Sequence, residues 1–439
     1  MLTYKFFLST ILFDMRIHLH AIGCRLNTAE IDSLARQFIA LGHSIVPAGS
    51  DADIVIFNSC AVTSSAGSES RKIIRKLRRA NPYATLVITG CYAEIDIQIA
   101  RDVGADMLVG TQYKDDIPQI LTESGLLHDC DHIATDIAYS SSSSGRTRAF
   151  LKVQDGCENK CTFCVVTIAR GAGRSKKLAQ VIQEINDLVG FGYCEVVLCG
   201  VHLGAYGHDI GVNVSLEDLV LSVLKETDVK RLRLSSLEPW DLTPDFFKLW
   251  EDSRLLPHLH LPLQSGSNRT LRRMGRRNTS NSFKNLLEAA RMTIPNLSVT
   301  TDVIVGFPAE TDTDFIESYE FIDSMKFAGL HIFPYSGRPG TAASKMSEQI
   351  SVDIIRKRSR LMHEINKKHQ SQFISSFVGR ELDVLWESCK SDNDLVCWSG
   401  LTSNYLRAYA YSDSDNSLRN VITKTKMMET FRGGLLGHV

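Results

Sequence analysis

The chain has 439 residues, 44% of them apolar and 23% charged, with a formal net charge of −1. It therefore reads as an ordinary globular protein of two to four domains, with no global basic field, so nucleic-acid contacts must come from local patches. Its eleven cysteines exclude a small secreted disulfide scaffold, and their odd number and clustering favour metal binding in a reducing cytosol.

Residues 1–14 are apolar with one Lys. They lack a small-residue cleavage site and are too short to span a bilayer, so an overcalled start with Met15 as initiator is expected. No other stretch reads as transmembrane. In residues 15–130, Met15–His20, Asp53–Phe57 and Thr85–Thr89 read as strands, and Asn27–Leu41 and Ser68–Arg79 as helices. This alternation predicts a parallel sheet with right-handed crossovers. Cys24, Cys60 and Cys91 each fall just past the C-terminal end of one of these strands. Those ends share an edge, so the three thiols can meet and hold a metal cluster; the alternative is core packing, where free cysteines are common. Arg71, Lys72, Arg75, Lys76, Arg78 and Arg79 put six positive charges on the second helix, with Ile73, Ile74 and Leu77 as an apolar stripe. This is a phosphate-holding patch or a solvated face.

Residues 131–148 read as a linker around the serine run Ser140–Ser144. From 149 to 375 a second alternating series predicts strands at Ala149–Gln154, Cys194–Cys199, Lys230–Leu234, His258–Pro262, Val299–Val305 and Leu330–Phe333. Helices Leu178–Leu188 and Ser215–Thr227 lie between them, the latter opening with the capping pair Ser215 and Asp218. Six β/α units are fewer than the eight of a closed barrel, so an open, partial barrel is expected, ending in the polar helix Ser351–Phe373.

Cys157, Cys161 and Cys164 follow the first of these strands in a C-x3-C-x2-C pattern. Three thiolates on one loop can hold three corners of a four-iron cluster and leave one iron open. The alternatives are a zinc site or core packing, but zinc ribbons take a second Cys pair at short range and none follows. The loops after the later strands carry Ser236, Glu238, Gln264 and Asp302, and all converge on the same C-terminal face. These four are candidate contacts for a cofactor or substrate. Residues 376–439 alternate at period two over Glu381–Glu387 and Asn404–Tyr411 and predict a small all-β barrel. Tyr405, Arg407, Tyr409 and Tyr411 share one strand face there, suited to base stacking or to a packed tyrosine ladder.

The C-x3-C-x2-C loop, with Phe163 before its last cysteine, resembles the radical S-adenosylmethionine (SAM) superfamily. Gly23-Cys24 with Asn27 and Glu30, Asn58-Ser-Cys60, and Gly90-Cys91 with Ala93-Glu94 resemble the N-terminal domain of the methylthiotransferases. Gly200-Val-His-Leu-Gly-Ala-Tyr-Gly207, Arg233-Leu-Ser-Ser-Leu-Glu-Pro239 and His331-Ile-Phe-Pro-Tyr335 are most similar to the branch acting on threonylcarbamoyladenosine in tRNA, the MtaB type. The resemblance implies an α/β protein in three parts. These are an N-terminal methylthiotransferase domain, a TIM-like radical SAM core of six β/α units, and a C-terminal TRAM-like RNA-binding barrel. It implies two [4Fe-4S] clusters, on Cys157, Cys161 and Cys164 and on Cys24, Cys60 and Cys91, with SAM at the first. It places Phe163 near the SAM adenine. It implies methylthiolation at C2 of the modified adenosine at position 37 of tRNA; the alternatives are another tRNA adenosine of the isopentenyl type, a ribosomal-protein side chain, or a non-catalytic iron–sulfur RNA-binding protein. A cytoplasmic monomer supplied by an electron donor and a sulfur source is expected. The two triads are expected to face each other across one cavity.

Overall fold

The first of two compact units, residues 1–139, grows from apolar runs long enough to be buried on both faces. Its strands are β1 (Arg16–Ala21), β2 (Ser44–Ile45), β3 (Ile54–Ser59), β4 (Thr85–Gly90) and β5 (Met107–Leu108). In the computed structural model they pair in parallel in the order β2-β1-β3-β4-β5. Every residue of β3 is buried, as a central parallel strand requires. The two-residue strands β2 and β5 are too short to leave a sequence periodicity and were not expected. Helices Arg25–Ala40 and Ser64–Ala80 each begin earlier than the apolar pattern suggests. The second starts where the Thr63 hydroxyl accepts from the Ala66 N–H at 3.1 Å. Ile17, Leu34, Phe38, Ile54, Ile56 and Val87 fill the core.

The structure describes residues 14–48, 51–128, 146–211, 214–392, 395–412 and 417–439. The N-terminal apolar stretch up to residue 13, Cys130 and the serine run lie outside these residues. The chain divides into two compact units, residues 1–139 and 140–439.

Unit 2 opens with β6 (Arg148–Lys152), followed by a small hairpin of β7 (Gln154–Asp155) and β8 (Arg174–Ser175). The remaining core strands are β9 (Glu195–Cys199), β10 (Arg231–Leu234), β11 (His258–His260), β12 (Ser298–Val305) and β13 (Gly329–Pro334). They form the parallel sheets β6-β9-β10 and β11-β12-β13, linked by single bridges from Leu232 to Leu255 and from Ser236 to His260. Spatial order thus follows chain order. Among the described residues β6 and β13 do not pair, so the barrel is open, as six units predict. Val181, Ile185 and Leu188 face inward from the helix Leu178–Gly190, and the Ser215–Asp218 capping box forms. Among the described residues no helix is long and apolar enough to cross a membrane.

The chain ends in a closed barrel of β14 (Glu381–Asp392), β15 (Leu395–Thr402), β16 (Arg407–Ser412), β17 (Ile422–Phe431) and β18 (Gly434–His438). Trp386, Trp398, Leu406, Ala408 and Ala410 pack inside it. The small barrel is bonded to residues at the N-terminal ends of the core strands. Glu195, fully buried, binds Arg231 and Arg233 at 2.9 Å each. Arg231 also donates to the Leu401 and Thr402 carbonyls at 3.3 and 3.2 Å. Burial alone would raise the Glu195 carboxyl, but the surrounding arginines bring it down to about 2.

Here one sequence expectation is corrected. Tyr405 is not on the strand; it sits in the turn ahead of β16 at φ +70°. Its ring packs against Arg233, Arg148 and His258 at 4.4, 5.6 and 4.6 Å. Arg407 is tied to Glu387 at 2.7 Å, and Glu387 also holds Arg148 at 2.7 Å. These groups join the small barrel to the core because desolvated cations need aromatic faces and carboxylates beside them. Tyr409 and Tyr411 pack edge-on against Phe431.

Candidate metal and cofactor centres

The Cys157 loop leaves the β7 end of the partial barrel through a tight turn. Gly156 has φ +71°, and a side-chain carbon there would run into the Ala172 carbonyl. The Cys157 N–H donates to the Gly171 carbonyl at 3.0 Å. The Asp155 carboxylate accepts from the Gly156 N–H at 2.8 Å and from buried Arg170 at 2.9 Å. Gln154 donates to the Asp155 and Gly156 carbonyls and accepts from the His202 N–H. Farther along, Thr162 is pinned to Met274 and Arg273 and accepts from the Ala343 N–H. The loop is therefore fixed at both ends before any ligand binds.

Within it the three thiols line one cavity of about 430 Å³ with Asn159, Thr167 and Gly340. Each sulfur has its own polar partner. Val166 N–H donates to the Cys164 sulfur at 3.4 Å, and Asn159 N–H to Cys157 at 3.4 Å. Arg276 lies 3.9 Å from Cys161; it is held by Glu238 at 2.7 Å and lies over the Trp240 ring at 4.3 Å. Burial pushes the Cys164 thiol up to about 12, and its sibling thiols add to the shift. Burial also raises Cys161 against the pull of Arg276. His202 bonds to Asp241 at 2.6 Å. Burial would lower its imidazole, but Asp241 and the Cys157 thiol raise it to about 10.

Burial and crowding make the thiolate forms of Cys161 and Cys164 costly while no cation is bound, and a metal that replaces the protons of the three thiols offsets that cost. Among the described residues, neither cysteine triad has all three sulfurs within 4.8 Å of one another. A tetrahedral zinc site would draw them to roughly 3.8 Å. An all-thiolate donor set of this kind suits iron–sulfur chemistry.

The other predicted contacts divide. Glu238 reaches the loop through Arg276. Phe163 packs edge-on against Phe307 at 6.5 Å, in a cluster with Met274, Ala343 and Tyr335. Gln264, at φ +73°, donates its N–H to the Asp302 carbonyl at 2.8 Å. Ser236 bridges to His260. The Asp302 carboxylate lies between His260 and His331, at 3.2 and 3.3 Å. Burial would raise Asp302, but the two imidazoles hold it well below the usual carboxylate range. His202, Asp241, Arg276 and His331 were not singled out as site residues. Arg276 was hidden in a run of arginines that reads as solvated surface, and Asp241 carries no spacing signal.

In unit 1 the three cysteines follow three adjacent parallel strands. Ala21 pairs with Asn58 and Ser59 with Gly90, so Cys24, Cys60 and Cys91 leave one edge of the sheet together. Gly23 lies so close to Cys60 that a β-carbon on it would be 2.7 Å from the Cys60 β-carbon. Gly90, at φ +95°, lies against the Ser59 backbone with the same lack of room. Beneath them is a buried polar layer. Asn27 donates to the Ile22 and Ser59 carbonyls, Asn58 to Glu30, and Lys114 to Glu30 at 2.6 Å. Cys60 and Cys91 are buried and Cys24 is exposed. On the helix Ser64–Ala80, Lys72, Arg75, Lys76 and Arg79 are exposed at i, i+3, i+4 and i+7. Arg78 is instead occupied by the Gly104 and Ala84 carbonyls and Asp106, and Arg71 by Ser68.

Comparison with known proteins matches both parts of the chain. Residues 151–322 match the radical SAM superfamily, and residues 16–110 match an uncharacterized protein family, UPF0004. The chain is 34% identical over 427 residues to the threonylcarbamoyladenosine tRNA methylthiotransferase MtaB of Bacillus subtilis, covering 93% of each. It is 35% identical to the protein of the same name from Aquifex aeolicus, covering 84% of this chain and 92% of that one. A tRNA-2-methylthio-N(6)-dimethylallyladenosine synthase of Thermobifida fusca is 32% identical over 83% of this chain and 76% of its own. In fold, the radical SAM methyltransferase TsrM from Kitasatospora setae matches with a TM-score of 0.55 at 13% identity, covering 73% of this chain and 75% of that one. The cofactors of the family are SAM and two [4Fe-4S] clusters. The chain belongs to the radical SAM methylthiotransferase family, on its MtaB-type branch.

Proposed function

We propose that this protein is the enzyme that methylthiolates C2 of N6-threonylcarbamoyladenosine at position 37 of tRNA. The observation that carries this reading is the pair of three-thiol centres in a chain that aligns nearly end to end with relatives bearing that activity in their names. Cys157, Cys161 and Cys164 would hold one cluster, and Cys24, Cys60 and Cys91 the other. Bound there, the clusters and SAM supply the radical and sulfur chemistry that a non-acidic C2–H bond requires.

The chain's own residues do the rest. Arg276, fixed by Glu238, sets a positive charge beside Cys161, and His202, fixed by Asp241, does so beside Cys157. Phe163, Ser236, Gln264 and Asp302 line the SAM and substrate side of the barrel mouth. An adenine turned out of a single-stranded anticodon loop is reachable where a helical one is not. The exposed stripe Lys72, Arg75, Lys76 and Arg79 holds phosphates near the sulfur-delivering triad. The enzyme works as a cytoplasmic monomer, with a separate electron donor and sulfur source.

Nucleoside mass spectrometry of tRNA from a strain lacking the gene tests the substrate. The 2-methylthio derivative of threonylcarbamoyladenosine should vanish and its unthiolated precursor should accumulate. Persistence of the derivative in a strain with no second such enzyme would refute the assignment.

A further inference from the structure

Among the described residues β13 bonds to β12 on one side only and forms the open edge of the partial barrel. Beside its end lies a groove of about 560 Å³. Pro334, Tyr335, Val352 and Ile355 give it an apolar floor, and Arg356, Arg360 and His363 line its wall. The three basic residues stand at i, i+4 and i+7 on the helix Val352–Ser375, so they form one stripe. All three are exposed, while Arg358, Met362 and Ile365 of the same helix are buried.

The helix sorts its arginines by task. Arg358 is buried and consumed by Glu310 at 2.9 Å and Asp312 at 2.8 Å. Arg356 has one solvated bond, to Asp353 at 3.3 Å, where both partners are exposed and little is gained. A merely solvated basic face needs no apolar floor, yet Val352 is 60% exposed beside these cations. Cations arrayed over exposed apolar and aromatic surface match a single nucleic-acid strand, whose phosphates take the charges while its bases and sugars cover the floor. A purely apolar partner would leave the arginines unpaired.

We infer that this groove binds the phosphodiester backbone of the RNA strand whose base enters the open barrel; the inference rests on the tRNA reading above. The partner is single-stranded RNA flanking the modified nucleotide, and Arg356, Arg360 and His363 position it.

The test uses the full-length, cluster-loaded protein and a fluorescein-labelled anticodon stem-loop, with affinity measured across a series of salt concentrations. The Arg356→Glu/Arg360→Glu double variant should bind about ten-fold or more weakly near physiological salt, and Arg356→Gln/Arg360→Gln should flatten the log–log salt dependence by between one and two units. Arg356→Lys/Arg360→Lys should restore the wild-type slope, which a purely structural role for these side chains would not predict. SAM cleavage to 5′-deoxyadenosine without RNA should be unchanged in all three. Wild-type affinity and slope in the Gln variant would overturn the groove and leave the tRNA reading standing. A wild-type protein that binds no stem-loop even at low salt would overturn both.

Discussion

Cys157, Cys161 and Cys164 lie within one short loop, whereas Cys24, Cys60 and Cys91 are gathered from the ends of three strands. The loop triad is set by covalent spacing and by anchors at Gly156, Asp155 and Thr162. The edge triad is set by strand register and by a buried polar layer of Asn27, Asn58, Glu30 and Lys114. Two routes thus lead to the same donor set, and they differ in what breaks them. The loop fails when its own residues change. The edge fails when residues far along the chain change.

The sharpest separation comes from deleting one thiol in each. Cys157→Ala should remove about half the iron and abolish 5′-deoxyadenosine formation, a loss of roughly a thousand-fold or more, because no other group does the cluster's chemistry. Cys60→Ala should also lose about half the iron, yet leave SAM cleavage measurable and stop sulfur insertion. Iron analysis with product mass spectrometry reads both. If Cys60→Ala also lost SAM cleavage, the division of labour between the triads would be wrong.

A second pair of variants tests the anchors. Lys114→Met removes the cation paired with Glu30 in the interior, where each partner of the pair is 1% exposed. Breaking such a pair costs about 3–5 kcal/mol. Limited proteolysis should show unit 1 opening first, with unit 2 retaining its iron. Arg170→Met removes the buried cation that holds Asp155 under the Cys157 loop, leaving it only the Gly156 N–H and the half-exposed Arg174 at 3.7 Å, and the expected damage is the reverse. Equal damage to both iron sites from either change would contradict separate anchoring.

Acid provides a further contrast. Glu195 titrates near 2 in the folded protein, below its ordinary value near 4.5. Its contribution to stability is therefore complete above about 4.5 and is lost as pH falls from there through about 2. The joint between the core and the small barrel should loosen in that window, by a smaller amount than removing Lys114. Intrinsic fluorescence of Trp386 and Trp398, both in the small barrel, would follow it. In Glu195→Gln the fluorescence change across that window should shrink.

The longer parallel strands of both units, and the placement of Cys24, Cys60 and Cys91 just past three of their ends, were legible because parallel α/β folds bring strand C-termini to one edge whatever the intervening sequence. The Cys157 loop was legible because its ligands are neighbours. The partners of those ligands were not. Arg276 and Asp241 reach the loop only through tertiary folding, 115 residues from Cys161 in the first case. Tyr405 misled for a related reason: period-two alternation placed it on a strand face, but its left-handed backbone turns it into the joint with Arg233. Pattern reports which side of an element a residue occupies, and only packing reports what lies against that side.

The basic helix of unit 1 makes the same point quantitatively. Six cations look alike in the sequence, but Arg78 is consumed by the Gly104 and Ala84 carbonyls and Asp106, while Lys76 and Arg79 belong to an exposed stripe. Lys76→Gln should therefore weaken tRNA binding by a few-fold and reduce the salt dependence by about one unit, with the melting temperature unchanged. Arg78→Gln should lower the melting temperature and leave the salt dependence as it is, because its charge is already spent inside the protein. Salt-dependent binding measured beside thermal melts separates the two. An Arg78→Gln variant that lost a unit of salt dependence without losing stability would mean that the helix meets RNA with a different face, and the phosphate-holding role would then pass from Lys72, Arg75, Lys76 and Arg79 to the side of the helix that carries Arg71 and Arg78.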